Sequence, residues 1–179
     1  DYNRPSAVGN ITIQLANGTY SVTTVILRRF SGSGIITIRG DPTTPANVTV
    51  TTSAGLAFWA YDGAASWYLN GLRLQSSASG TAVLSDKCSD VYIASIDFST
   101  GFSTHLWTVL GGVIRANGNY SITAGAAQHV TAQTSGSIDV SGRTLTITGT
   151  PAFSTAFANV GYIGSANFAG CTFTGSATG

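Results

Sequence analysis

Two stretches decide how this chain is read: WYLNGLRL at residues 67–74 and VYIASIDF at residues 91–98. Few letters agree, yet apolar residues stand at four corresponding places 24 positions apart: Trp67 and Val91, Leu69 and Ile93, Leu72 and Ile96, Leu74 and Phe98. Apolar residues at every second place are the mark of a strand with one face buried. From Leu72/Leu74 the same apolar-x-apolar pair recurs forwards as Ile96/Phe98, Tyr120/Ile122, Leu145/Ile147 and Cys171/Phe173. Backwards it recurs as Val48/Val50 and Val25/Leu27, and all the intervals lie between 23 and 26. A looser second track runs Ile13/Leu15, Ile36/Ile38, Phe58/Ala60, Ala82/Leu84, Leu106/Thr108, Val130/Ala132 and Phe157/Ala158.

Turn-formers fall between these pairs: ANGT, SGSG, GDPTTPAN, SSASG, ANGN and TSGS. A unit of about two dozen residues with two or three short strands cannot bury its apolar face alone, but stacked on copies of itself it does. The pattern therefore predicts an all-β fold, a right-handed parallel β-helix of about seven coils, with equivalent residues in columns about 4.8 Å apart. The competing arrangement is an antiparallel sandwich with a strand every 8–12 residues, which has no need of a fixed 24-residue recurrence.

Composition agrees. The chain has 179 residues with 22 Gly, no Met, 8% charged residues, a single Lys (Lys87), and seven acidic groups that are all Asp. Lacking Glu and rich in Thr, Val, Ile, Tyr and Phe, it favours strands over exposed helices. Residues 1–179 are read as one β-helical domain. The start at Asp1 and the loop-like ending GSATG suggest a fragment of a longer chain.

A formal charge of +1 with seven scattered Arg offers no basic field for nucleic acid. No apolar run approaches the ~20 residues that span a bilayer, and no membrane insertion is expected. Cys88 and Cys171 are too few for a disulfide scaffold or a zinc site, and Cys171 in FAGCTF reads as a buried thiol. Four N-x-[ST] triplets begin at Asn10, Asn17, Asn47 and Asn119, as chance provides in a chain this rich in Ser and Thr.

The quoted segments carry a resemblance. NITIQLANGTYSV resembles the first coil of pectate-lyase-like β-helices, a strand followed by a Gly-x-Tyr turn. GIITIRGDPTTPANVTV and WYLNGLRLQSS resemble the β-helical part of phage and prophage tail-fibre or tailspike-like proteins. AGCTFTGSATG is similar to the place where such proteins leave the helix for a further Gly-rich segment. The resemblance implies a virion appendage, extracellular and commonly a homotrimer, that binds or cuts a bacterial surface polysaccharide. Its motifs are those of a solenoid, not of an active site.

Candidate chemistry then follows from the outward positions. On the main track these are Thr49, Arg73, Asp97, Ser121, Thr146 and Thr172, so Arg73 and Asp97 are expected one coil apart on an exposed face. The β-helical polysaccharide lyases hold Ca²⁺ with Asp and use Arg as base on such a face, which makes Asp97 and Arg73, with Asp90 and Asp86 nearby, the candidate catalytic residues. An ordinary cross-strand ion pair is the simpler reading of Arg73 and Asp97, because the lyases cluster several Asp and here Ser121 lies above Asp97. A hydrolase needs two carboxyls about 5–5.5 or 6.5–9.5 Å apart. With no Glu, the carboxylates on offer are Asp62, Asp86, Asp90, Asp97 and Asp139, and only a pair within residues 86–97 suits.

His105 and His129, also 24 apart, are expected to stack on adjacent coils as turn residues facing solvent. No third ligand recurs with them, so no metal and no cofactor is called for. Aromatic rings complete the set. Tyr68 and Tyr92 point outward on neighbouring coils and Trp59 and Trp107 lie nearby, either as carbohydrate-stacking platforms or as a subunit interface. The leading expectation is a structural and adhesive segment of a phage tail fibre or spike, not an enzyme. A polysaccharide lyase or glycoside hydrolase is the alternative.

Overall fold

The computed structural model describes residues 9–64 and 66–178. It is a parallel β-solenoid of about seven turns, all-β apart from a single 3-10 turn at Pro45–Asn47 among the described residues. Each coil contributes up to three strands, one to each of three faces.

The first face stacks β1 (Ile11–Gln14), β4 (Ile36–Arg39), the first half of β7 (Trp67–Ser76), the first half of β9 (Asp90–Phe98), β11 (Val113–Ala116), β14 (Ser137–Asp139) and β17 (Ser165–Asn167). The second stacks β2 (Gly18–Val22), β5 (Val48–Thr52), the second halves of β7 and β9, β12 (Tyr120–Ile122), β15 (Thr144–Ile147) and β18 (Thr172–Thr174). The third is a separate six-stranded sheet of β3 (Val25–Leu27), β6 (Leu56–Ala60), β8 (Thr81–Ser85), β10 (Thr104–Thr108), β13 (Ala126–Ala132) and β16 (Phe153–Val160). Because β7 and β9 turn the first corner without a break, the first two faces form one bent twelve-stranded sheet.

The pairing of residues 67–74 with 91–98 is present residue for residue: Trp67 under Val91, Leu69 under Ile93, Leu72 under Ile96 and Leu74 under Phe98, all parallel. Leu69, Leu72, Leu74, Ile93, Ile96 and Phe98 are fully buried, and each such side chain contributes about 1.5–3 kcal/mol by leaving water. Burial continues through Ile114, Ile122, Ile138 and Leu145 into a single core cluster.

Three register expectations are corrected. Val25 and Leu27 do not lie beneath Val48 and Val50. They pair with Phe58 and Ala60 on the third face, and Tyr20 lies beneath Val50. Ile36 and Ile38, assigned to the second track, sit on the first face under Trp67 and Leu69, with Ile11 and Ile13 below them. At the far end Phe173, not Cys171, pairs with Leu145, so the last interval is 28 and Thr174 takes the outward place over Thr146. In each case a connecting segment differs in length from its neighbours, and equal steps along the chain cease to mean equal heights on the rod. A step of 25 from Phe58 to Val83 does the same on a smaller scale, turning Leu84 outward over Trp59. A shift of one residue exchanges the faces of a strand.

The third corner holds a feature that hydrophobic spacing does not reveal. Pairs of residues with positive φ recur there on five coils: Asp62/Gly63, Lys87/Cys88, Leu110/Gly111, Thr134/Ser135 and Tyr162/Ile163. Four of these turns are closed by a bond from the fourth residue's N–H to the first residue's carbonyl, from Ser89, Gly112, Gly136 and Gly164. Two left-handed central residues define a type I′ turn, which normally takes Asn-Gly or Asp-Gly. The sequence signal for it is the glycine in the closing position, at 112, 136 and 164. A Cβ on Gly136 would stand 2.6 Å from the Thr108 carbonyl oxygen of the coil beneath, so the stack itself demands glycine there.

Ile163 adopts φ 59° although it is β-branched, and it is 88% exposed. The left-handed region costs an L-residue about 1–2 kcal/mol, and no packing repays that cost at this position. Ile163→Gly is therefore expected to raise stability by about 1 kcal/mol, read as a higher urea midpoint. An unchanged or lower midpoint counts against the assignment of strain to this turn.

Candidate functional site

Arg73 stands opposite Asp97 on the second face, in the outward column that continues through Ser121. The Asp97 carboxylate accepts from Arg73 Nε at 2.6 Å and, through its other oxygen, from the Thr123 hydroxyl at 2.8 Å. Asp97 is only 4% exposed. The expected juxtaposition is therefore present, but its carboxylate is covered and held by donors on the coils before and after it. Thr123, which the sequence reading overlooked, follows Ile122 at the end of β12 and reaches back to Asp97.

Above this pair lies an open trough lined by Ser95, Ile96, Asn119, Tyr120, Ser121 and Thr146, with Pro42 and Pro45 on its far wall. The wall is a long connection between β4 and β5. Asp41 organises it: one carboxylate oxygen accepts the N–H groups of Thr43 and Thr44 at 3.0 Å each, and the other accepts from Asn47 Nδ2 at 2.8 Å. The Thr44 N–H and the Asn47 amide hold the Asp41 carboxyl below its ordinary value. The connection rests on Gly71 in the coil above, whose amide oxygen accepts from the Asp41 N–H at 2.8 Å. The GDPTTPAN stretch read as a turn is thus a structured rim.

The other candidate carboxylates are placed elsewhere. Asp90 begins β9 on the first face and is gripped by Arg115, whose Nη1 donates to both oxygens at 2.5 and 2.6 Å. Six residues and a corner separate it from Asp97, and the corner is made by Ser95 at φ 48°. The two therefore face different sides of the rod. Asp86 opens the type I′ turn on the third corner and is 9% exposed, with one oxygen buried and unpartnered. Asp139 on β14 has its carboxyl held below the usual range by the Ser141 hydroxyl and N–H, and Asn167 donates to it at 3.1 Å. Among the described residues no three His, Cys, Asp or Glu side chains gather into a metal-binding set.

The aromatic residues divide between two faces. Tyr68 and Tyr92 are adjacent in the outward column of the first face, half-buried, with the Arg115 guanidinium 5.7 Å from the Tyr92 ring centroid. Trp59 and Trp107 belong to the third face, in a column that runs Ile26, Trp59, Leu84, Trp107 and carries no charge. Trp59 packs edge-on to Tyr61, with centroids 4.9 Å apart.

The histidine expectation is half corrected. His105 and His129 do lie on adjacent coils, but within β10 and β13, and both are fully buried. Their Nδ1 atoms are 3.0 Å apart, and the Tyr120 hydroxyl is 2.9 Å from His129 Nε2. They escape the turn because the corner after β9 brings Phe98 over them, stacked on His105 with centroids 5.0 Å apart. Cys171 is half-buried and its thiol donates to the Val140 carbonyl at 2.9 Å, whereas Cys88 is exposed and neither is disulfide-bonded.

Of the strand carboxylates, Asp90 and Asp97 are each paired with an arginine, and Asp139 is held by Ser141 and Asn167. No protein-family model matches the chain, and no curated protein or solved structure is significantly similar to it.

Proposed function

We propose that this chain is a structural and adhesive segment of a phage or prophage tail fibre or spike, a rigid rod that binds a bacterial surface glycan on its second face. One observation carries the reading. The trough above Arg73 and Asp97 is open, lined by hydroxyl and amide groups of Ser95, Asn119, Ser121 and Thr146, and backed by strands whose positions the ladder fixes. Neutral hydrogen-bonding groups on an open, rigid surface suit the hydroxyls of a sugar chain. The Asp97 carboxylate below them is occupied by Arg73 and Thr123 and offers no free base. The sequence resemblance to tailspike-like solenoids points the same way. In the virion the third face is proposed to pack against two copies of itself. Its Ile26–Trp59–Leu84–Trp107 column brings no like charges together at a three-fold axis.

Binding to capsule and lipopolysaccharide preparations, measured by calorimetry, tests the reading. Ser121→Trp, which fills the trough, is expected to weaken binding at least tenfold while the melting curve stays within a degree or two. Failure of every such polymer to bind removes the adhesive reading. Release of reducing ends or of unsaturated sugar, abolished in Asp97→Ala, replaces it by a lyase or hydrolase. Light scattering tests the trimer, and Leu84→Arg is expected to reduce its mass to that of one chain.

A further inference from the structure

Neither the core nor the trough has a use for two buried imidazoles, and apolar side chains fill such places at lower cost. His105 and His129 are the only histidines of the chain, both are completely buried, and they touch through Nδ1. The hydrogen-bond chain has two possible directions. If the Tyr120 hydroxyl donates to His129 Nε2, then His129 Nδ1–H donates to His105 Nδ1 and a single N–H, at His105 Nε2, stays unpaired. In the opposite direction the tyrosine hydrogen and the His105 Nε2 lone pair are both left without partners. His105 Nε2 has no partner in either direction, so the first direction, which leaves one group unpaired against two, is the better satisfied.

In that arrangement the column has no room for another proton. A proton on His105 Nδ1 places two N–H donors face to face at 3.0 Å. A proton on His129 Nε2 turns the tyrosine hydroxyl away from its acceptor. In either case a positive charge appears among Phe98, Phe153 and Phe157, whose rings enclose the pair. The remaining neighbours give no counter-charge. Ala82 of β8 lies under His105. β9 presents Phe98 and turns Asp97 outward to Arg73. β12 presents Tyr120, β16 presents Phe153 and Phe157, and beyond them stands the Cys171 thiol, which acts on Tyr120.

We infer that the His105–His129–Tyr120 column is an acid-sensitive joint in the middle of the rod: it holds the third to sixth coils together while both imidazoles are neutral, and the core there opens when either takes up a proton. Burial pushes His105 down to about 3 and His129 well below its ordinary value, with His105 adding to the effect at His129. In the unfolded chain both titrate near 6.5. A histidine lowered on folding leaves stability whole above the unfolded value and erodes it as pH falls through and below 6.5. The carboxylates act in another window. Asp41 and Asp139 are lowered from 3.8, so their contribution persists until pH falls to about 4. With no Glu and no other His, a loss between pH 7 and 5 belongs to this pair.

Urea unfolding of the chain at pH 7.5, 6.5, 5.8 and 5.0 is the test. With two protons taken up on unfolding, the unfolding constant is expected to rise by about 10³-fold between pH 7.5 and 5.0. The double variant His105→Leu/His129→Leu is expected to be nearly flat over the range. Amide exchange on the unaltered protein gives a reading that does not depend on that variant's folding. Protection in residues 104–108 and 126–132, corrected for intrinsic rate, is expected to fall towards pH 5 while that of residues 36–39 holds. Imidazole ¹⁵N shifts that show a charged histidine in the folded protein at pH 5 overturn the inference. So does a pH-independent unfolding constant, or a double variant as acid-labile as the parent.

Discussion

Phe98→Ala is expected to lower the stability of the chain by about 3–5 kcal/mol, the loss that follows when a buried aromatic ring is truncated and its cavity stays partly open. Phe98 is completely buried over Leu74 and under Ile122, and it closes the space above His105 at the second corner. Its ring also packs edge-on to Tyr120, with centroids 5.7 Å apart. Truncation removes contacts from two faces at once and admits water beside two imidazoles that have no charged neighbour. The backbone on either side is held by ladders to β7 and β12, so collapse into the gap is limited. The measurement is the urea midpoint with the slope held constant. A loss under about 1 kcal/mol implies that the core around Phe98 is loosely packed, and the columnar picture there fails.

Gly71→Ala is expected to cost about 2–5 kcal/mol, and to free the rim of the trough before the rod unfolds. Two separate penalties meet at this residue. Its φ of 71° lies in the left-handed region, which costs an L-residue about 1–2 kcal/mol. An added Cβ would stand 2.4 Å from Pro42 N and 2.5 Å from the Asp41 carbonyl carbon, so the connection must lift or the strand must move, a strain of about 1–3 kcal/mol. Lifting also breaks the bond from the Asp41 N–H to the Gly71 carbonyl. Limited proteolysis separates the possibilities. Early cleavage between residues 41 and 47, with the remaining core resistant, is the expected pattern. Cleavage spread evenly over the chain means that Gly71 serves the whole coil and not the rim. If the trough binds sugar, the same change is expected to weaken binding in step with the cleavage rate.

The contrast between these residues shows what was legible. Leu72 under Ile96, Tyr68 under Tyr92 and Arg73 under Asp97 follow from the letters because they lie within two strands that keep one 24-residue register around the corner. Gly71 reads only as a small residue in a strand until the connection resting on it is seen. Thr123, the rim at Asp41 and Pro42, and the buried state of His105 and His129 depend on what other coils place beside them.

By itself the sequence determined the class of fold, the direction of stacking and the inward and outward sense of the central strands. Side-chain alternation is a local property of extended backbone, and a recurrence near 24 residues has few solutions other than a parallel stack. Tertiary structure alone decided the height at which each strand enters the rod, because that depends on the unequal lengths of the connecting segments, as at residues 40–47 and again before Phe173. It also decided which polar side chains lose contact with water. A histidine carries the same letter at a corner or in a core, and here the ring of Phe98 from the neighbouring face is what encloses it.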